Sequence, residues 1–248
     1  MTPTRPGRIS AATAPSFFPR GGCRIEWKDR RENHQRLVVR IIFERRIILT
    51  PQQMANRTVR PKPDLPRSPG VHVQAINKAL GVAAGKLSDA DGDDYPFERF
   101  SDSVYPLMPA LGVAWEELRA STYPEDELIW QPGELERDGI YGTHDGLWLG
   151  QDGAAVVTAI WECKQTTKKF QSIGDLWMYT KQGLSYCAMS GLSHVLYDIC
   201  FLLGDYTRPY QPIGITTLVE FTEKEQESWW GVILKNKNAA KAEGRTDG

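Results

Sequence analysis

The chain has 248 residues, 41% of them hydrophobic and 25% charged, with a formal net charge of −1. That is enough apolar material for one sizeable core plus an appendage, and too ordinary a balance for a disordered or fibrous protein. No run approaches the roughly eighteen consecutive apolar residues of a membrane span, no secretory leader is read at the N-terminus, and Cys23, Cys163, Cys187 and Cys200 form no CxxC or CxH pair. Structural zinc and iron–sulfur sites are therefore disfavoured, and reduced thiols of a cytoplasmic protein are expected.

Residues 1–53 hold eleven Lys/Arg against four Asp/Glu, a net of +7, whereas residues 54–248 hold nineteen against twenty-seven, a net of −8. The first segment is expected to be a basic, disordered extension, or an artefact of a misassigned start with Met54 as the natural first residue. Only Leu37–Leu49 within it reads as a strand or short helix. Prolines at 61, 63, 66 and 69 make residues 54–70 an extended linker. Residues 71–234 read as the folded domain, and 235–248 as a frayed polar tail.

Within the domain, Val71–Leu80 has Val73, Ile76 and Leu80 at helical spacing, Asp89–Asp94 is an acidic loop, and Met108–Ala120 reads as a helix. The period then changes. Leu128–Gln131, Gly139–Thr143, Gly146–Leu149 and Val156–Lys164 are short β-prone runs between Gly, Pro and Asp turns, as in a meander. Ser172–Ser190 is a long amphipathic helix with Ile173, Leu176, Trp177, Leu184 and Cys187 as core contacts. His194–Leu203 and Ile213–Phe221 are buried strands. Thr222 caps a last helix through Ile233, with Glu225 in the capping-box position. This order predicts one α/β (α+β) domain, a mixed sheet flanked by helices.

The chemical signal lies in the meander. Asp145 sits at a turn, and Glu162-Cys163-Lys164 ends a run that Val156, Val157, Ile160 and Trp161 mark as largely buried. Side chains two apart on a strand share a face, so Glu162 and Lys164 point one way and Cys163 the other. If the meander pairs as a hairpin, Asp145 comes alongside Glu162. Two carboxylates and an ammonium group would then meet, the combination that metal-assisted phosphodiester hydrolysis uses: hard oxygens to hold Mg²⁺, and a cation to orient water or offset developing charge. An ExK triplet alone is more often a solvated face with a weak ion pair; the buried strand around it argues for more. Glu116, which follows Gly112-Val-Ala-Trp115 in the Met108–Ala120 helix, could add a ligand; a surface helix glutamate is the alternative. Gln182 and Tyr186 are i, i+4 neighbours with Tyr179 on the same stripe.

Asp145, Glu162-Cys163-Lys164, Gln182-xxx-Tyr186 and the preceding Gly112-xxx-Glu116 together resemble the PD-(D/E)XK nuclease superfamily. The likeness is greatest to its phage-type, RecB-like exonuclease branch, which includes lambda exonuclease, and covers roughly residues 67–234. The resemblance implies a restriction-endonuclease-like core, a DNA substrate, Mg²⁺ or Mn²⁺, and a role in recombination, repair or phage replication. It implies Asp145, Glu162 and the Cys163 backbone carbonyl as metal ligands, Glu116 as an auxiliary one, Lys164 as assistant to the nucleophile, and Gln182 and Tyr186 as supports. A single-strand annealing protein and a homo-oligomer are partners by the same likeness. His144 stands where the family name has proline, and the cysteine quartet of the iron–sulfur subgroup is missing.

Lys168, Lys169 and Lys181, with Tyr179, are candidates for contacts to DNA; a solvated charge run is equally compatible. His72 and His144 are too isolated for a zinc site, and Trp229-Trp230 reads as core. An exonuclease leads; a restriction-type or structure-specific endonuclease and a catalytically silent nucleic-acid-binding relative are the alternatives.

Overall fold

The computed structural model describes residues 23–26, 38–47, 68–85, 107–152 and 155–242. The strands are β1 (Cys23–Glu26), β2 (Val38–Ile47), β3 (Val71–His72), β4 (Leu128–Trp130), β5 (Glu134–Arg137), β6 (Ile140–Thr143), β7 (Gly146–Asp152), β8 (Ala155–Thr166), β9 (His194–Phe201) and β10 (Ile213–Glu220). The helices are α1 (Val73–Ala83), α2 (Leu107–Ala120), α3 (Trp177–Ser190) and α4 (Glu223–Ala242), with a 3₁₀ turn at Ile173–Asp175. A seven-stranded sheet runs β1-β2-β10-β9-β8-β7-β4, and a three-stranded one runs β3-β6-β5. The large sheet is mixed: β8 and β9 are parallel, joined through α3, and the other neighbours are antiparallel. This is the mixed α+β architecture that the order of elements predicts.

Alternation along the central strands divides the core in two. Ile160, Val195, Tyr197, Ile199, Ile215 and Val219 face α1, α3 and α4, where Ile76, Leu184, Trp230 and Ile233 complete one apolar layer. Ala159, Trp161, Cys163, Leu196 and Leu218 face the other way, with Ala120, Tyr123 and Trp115 from α2 and its following turn. The second layer hides a charge. Asp198 is fully buried, and its Oδ1 accepts from Arg119 Nη2 (3.0 Å) and Thr216 Oγ1 (2.6 Å). Its Oδ2 accepts from Tyr123 Oη (2.7 Å) and Trp161 Nε1 (2.8 Å). Four donors satisfy the carboxylate, so α2 is tied to β8, β9 and β10 by directional bonds as well as by packing.

Several expectations hold. Gly146 pairs with Trp161, so the meander is a hairpin in the predicted register. Thr222 Oγ1 accepts from Glu225 N while Thr222 N donates to Glu225 Oε2, closing the capping box. Trp229 and Trp230 are core residues. Others need correction. Residues 38–47 are a strand, one of the two readings of Leu37–Leu49, and not part of a disordered extension: β2 pairs with β10 from Gly214↔Ile47 to Glu220↔Arg40 and buries Ile41. The tail is not frayed through 235–242, because α4 continues to Ala242 and Lys237 Nζ donates to the Asp138 carbonyl. The helix expected from Ser172 starts at Trp177, after Ser172 caps the 3₁₀ turn and Leu176 leaves helical backbone angles. Val156 is 77% exposed, so burial on β8 begins with Val157. β5 is an addition, a charged strand (ELER) pairing with β6. The expected linker before residue 68, the acidic loop Asp89–Asp94 and the ends of the chain lie outside the described residues.

Candidate active site

β8 carries two functions on its two faces. Trp161 and Cys163 anchor the α2 layer, while Glu162 and Lys164 emerge on the α3 side. The β7–β8 ladder ends at Gly146↔Trp161, so the turn residue Asp145 lies beside Glu162 where β8 loses its antiparallel partner. Gly146 makes this approach possible: a β-carbon there would come within 2.9 Å of the Trp161 ring and 3.0 Å of the Ile129 carbonyl.

Three polar groups meet at that point. Lys164 Nζ is 3.0 Å from Asp145 Oδ2 and 2.6 Å from Glu162 Oε2. Asp145 Oδ2 also accepts from the Cys163 backbone N–H at 2.8 Å. Glu162 is 0% exposed, whereas the side chains of Asp145 and Lys164 retain 15% and 18% exposure. Glu162 Oε1 is buried and takes no hydrogen bond. An orphaned carboxylate oxygen in a closed setting is unfavourable for folding alone. Burial pushes the Glu162 carboxyl up to about 8, with Lys164 opposing the rise and Asp145 adding to it. Burial works against the Lys164 ammonium, yet Asp145 and Glu162 together hold it well above the usual lysine range. The two carboxylates and the ammonium thus form one electrostatic unit at a partly open edge.

Tyr186 supports the unit from below. Its hydroxyl donates to the Thr143 carbonyl (2.7 Å) and accepts from Gln182 Nε2 (3.0 Å) and Gln74 Nε2 (2.9 Å). Thr143 ends β6, two residues before Asp145, so α1 and α3 both fix the turn that presents the aspartate. Gln182 and Tyr186 are therefore supports of the turn, bonded to each other, to Gln74 and to the backbone. Gln74 is an addition to the predicted set, and its place in an amphipathic helix offers no signal. His144 is a buried ring 6.1 Å from that of Tyr186, with neither nitrogen hydrogen-bonded, and burial lowers it to about 4 although Asp145 pulls upward. It fills space under the turn.

No family model matches the chain, and no curated protein matches it. A solved structure described as "Crystal structure of SSO0001" is similar over 71% of this chain and 78% of its own, at 11% identity and a TM-score of 0.38.

The remaining sequence candidates are dispersed. Glu116 is 5% exposed, and its Oε1 accepts from Trp130 Nε1 (2.9 Å) and Gln131 Nε2 (3.0 Å). It belongs to α2, which packs on the Cys163 face, so it does not join Asp145 and Glu162; among the described residues no three His, Cys, Asp or Glu side chains cluster for a metal. Gln131 links the two places, since its backbone N–H donates to the Asp145 carbonyl. Tyr179 gives its hydroxyl to the Gln165 carbonyl at 3.1 Å. Lys168 and Lys169 are exposed in the loop after β8. Lys181 sits 4.0 Å over the Trp229 ring of α4. Cys163, Cys187 and Cys200 are buried free thiols. No helix among the described residues is long and apolar enough to cross a membrane.

Proposed function

We propose that the chain is a metal-dependent deoxyribonuclease whose centre is Asp145, Glu162 and Lys164. The observation that carries this reading is the convergence of two carboxylates on one ammonium nitrogen at the open end of a hairpin, with a fully buried glutamate oxygen left without a donor. That donor set fits Mg²⁺ or Mn²⁺, which takes one or two carboxylates from a protein and keeps several waters. Asp145 and Glu162 would hold the ion. The Cys163 carbonyl would assist: its N–H points at Asp145, a strand residue aims its N–H and C=O to the same side, and β7 has ended there. When bound, the cation polarises a phosphoryl oxygen and lowers the pKa of a coordinated water.

The protein's own groups do the rest. Lys164, held between the carboxylates, is placed to orient the attacking water and to offset charge on the phosphorane. Tyr186, Gln182 and Gln74 keep the Asp145 turn in place, which preserves the near-attack geometry on which such rates depend. The buried side chains of Tyr186, Cys187 and Tyr197 limit solvent around Glu162. An exonuclease is the form we favour, from the sequence motifs. Purified protein incubated with linear and covalently closed DNA, with MgCl₂ or EDTA, tests the reading. Cleavage should need the metal and vanish in Asp145→Asn, Glu162→Gln and Lys164→Ala, and closed circles should resist. Full activity in any of those variants would refute the site.

A further inference from the structure

At one end of the large sheet, loops and charges gather that the cleavage chemistry does not use. β8 and β9 finish there in register (Thr166↔Phe201), β10 starts opposite Phe201, and β2 ends opposite Gly214. The loops 167–172 and 202–212 are stitched together: Leu202 N donates to the Thr166 carbonyl (2.9 Å), Phe170 N to the Gly204 carbonyl (2.7 Å), and Tyr206 Oη to the Thr167 carbonyl (2.8 Å). Arg46 of β2 lies over the Phe170 ring at 5.2 Å. The two loops add Lys168, Lys169 and Arg208, all exposed, against one acid, Asp205. Two aromatic rings stand out of this basic surface, for Tyr206 and Tyr210 are each 48% exposed. Arg208 covers the Tyr210 ring at 5.6 Å, and Tyr206 is held at φ 68, a backbone state uncommon for a tyrosine and strained.

Exposed rings among lysines and arginines suit a ligand that has both phosphates and free aromatic faces. Paired bases are stacked inside a duplex and offer a protein only edges and backbone, whereas an unpaired strand offers its bases for stacking. From Lys164 to this surface is roughly 10 Å of extended β8. We propose that the 167–172 and 202–212 loops bind single-stranded nucleic acid, with Tyr206 and Tyr210 stacking bases and Lys168, Lys169 and Arg208 taking phosphates. The surface thereby leads an unpaired strand to the carboxylate–lysine cluster. This names the substrate of the proposed nuclease and, for that role alone, rests on that reading.

The test is equilibrium binding of the full chain, in EDTA, to a fluorescent oligothymidylate and to a blunt hairpin duplex, followed by anisotropy. Tyr206→Leu and Tyr210→Leu should each weaken oligothymidylate binding by about tenfold and leave hairpin binding nearly unchanged. Tyr206→Phe keeps the ring but loses the bond to the Thr167 carbonyl, and should bind far closer to the unaltered protein than Tyr206→Leu does. Neutralising Lys168 and Lys169 together should flatten the dependence of log K on log salt by roughly 0.7 for each phosphate that is no longer neutralised. The proposal is overturned if the unaltered chain does not bind oligothymidylate. It also falls if the folded double tyrosine variant binds as well as the parent, or if both ligands weaken equally. Glu162-dependent cleavage with no tyrosine effect on binding removes this surface and spares the nuclease; tyrosine-dependent binding without such cleavage does the reverse.

Discussion

Removing one oxygen, in Tyr186→Phe, separates support of the site from its chemistry. The ring is 0% exposed, and phenylalanine leaves the packing almost unchanged, so the loss is confined to the hydroxyl. That hydroxyl donates once and accepts twice. A typical hydrogen bond contributes about 1 kcal/mol net, but Gln74 and Gln182 are half-buried and regain water, so roughly 1–2 kcal/mol of stability should go. For a chain of this size that lowers the thermal midpoint by about 2–8 °C. The larger effect is expected in catalysis. With the Thr143 carbonyl released, the turn carrying Asp145 is no longer fixed by α1 and α3, and a displacement of about 1 Å costs on the order of a hundredfold in rate. Single-turnover cleavage beside a thermal melt gives both quantities. The expected signature is a kcat reduced by roughly ten- to a hundredfold with KM little changed, since the hydroxyl does not face the substrate. A melt lowered as stated with kcat intact would refute the claim that Tyr186 aligns Asp145.

Other perturbations follow from the same structure. Arg119→Met should cost about 3–5 kcal/mol in urea unfolding, because it strips the one cationic donor from the buried Asp198 carboxylate; a cost below about 1 kcal/mol would mean that Tyr123, Trp161 and Thr216 satisfy that group unaided. Burial holds Lys181 down at about 8, against the pull of Glu225, so between about 8 and 10.5 the folded chain binds fewer protons than the unfolded one and stability should rise with pH. Lys181→Met should abolish that rise and stabilise the protein at neutral pH by about 1–2 kcal/mol, allowing for partial solvent screening; an unchanged pH slope would disprove it. Deleting residues 1–47 should open the β10 edge and remove buried Ile41, lowering stability by at least about 2 kcal/mol and promoting self-association on size exclusion. A monomer of unchanged stability would show that β2 is dispensable.

What the sequence made legible was what neighbouring residues decide. The β7–β8 hairpin follows from Gly and Asp turns, and the division of β8 into a Glu162/Lys164 face and a Cys163 face follows from strand alternation. The capping box at Thr222 follows from two residues three apart. Packing between distant segments was not legible. Leu37–Leu49 reads as a strand or short helix inside an Arg-rich segment, but its pairing with the β10 edge, some 170 residues later, carries no local signal. Glu116 has suitable chemistry and spacing, yet the face on which α2 packs commits it to Trp130 and Gln131. The seat of Lys181 over Trp229 of α4 is likewise not written in the α3 sequence. Gln74 and Asp198 carried no signal, since a polar residue in an amphipathic helix or a buried strand shows its role only when its partners arrive.

β8 is where folding and chemistry share a single alignment. Its period of two means that a slip by one position against β7 would turn Trp161 and Cys163 toward the cluster and bury Lys164 against α2. The indole bond from Trp161 to Asp198 would go in the same step. A chain that threads this strand wrongly therefore forfeits its anchor and its reactive groups at once.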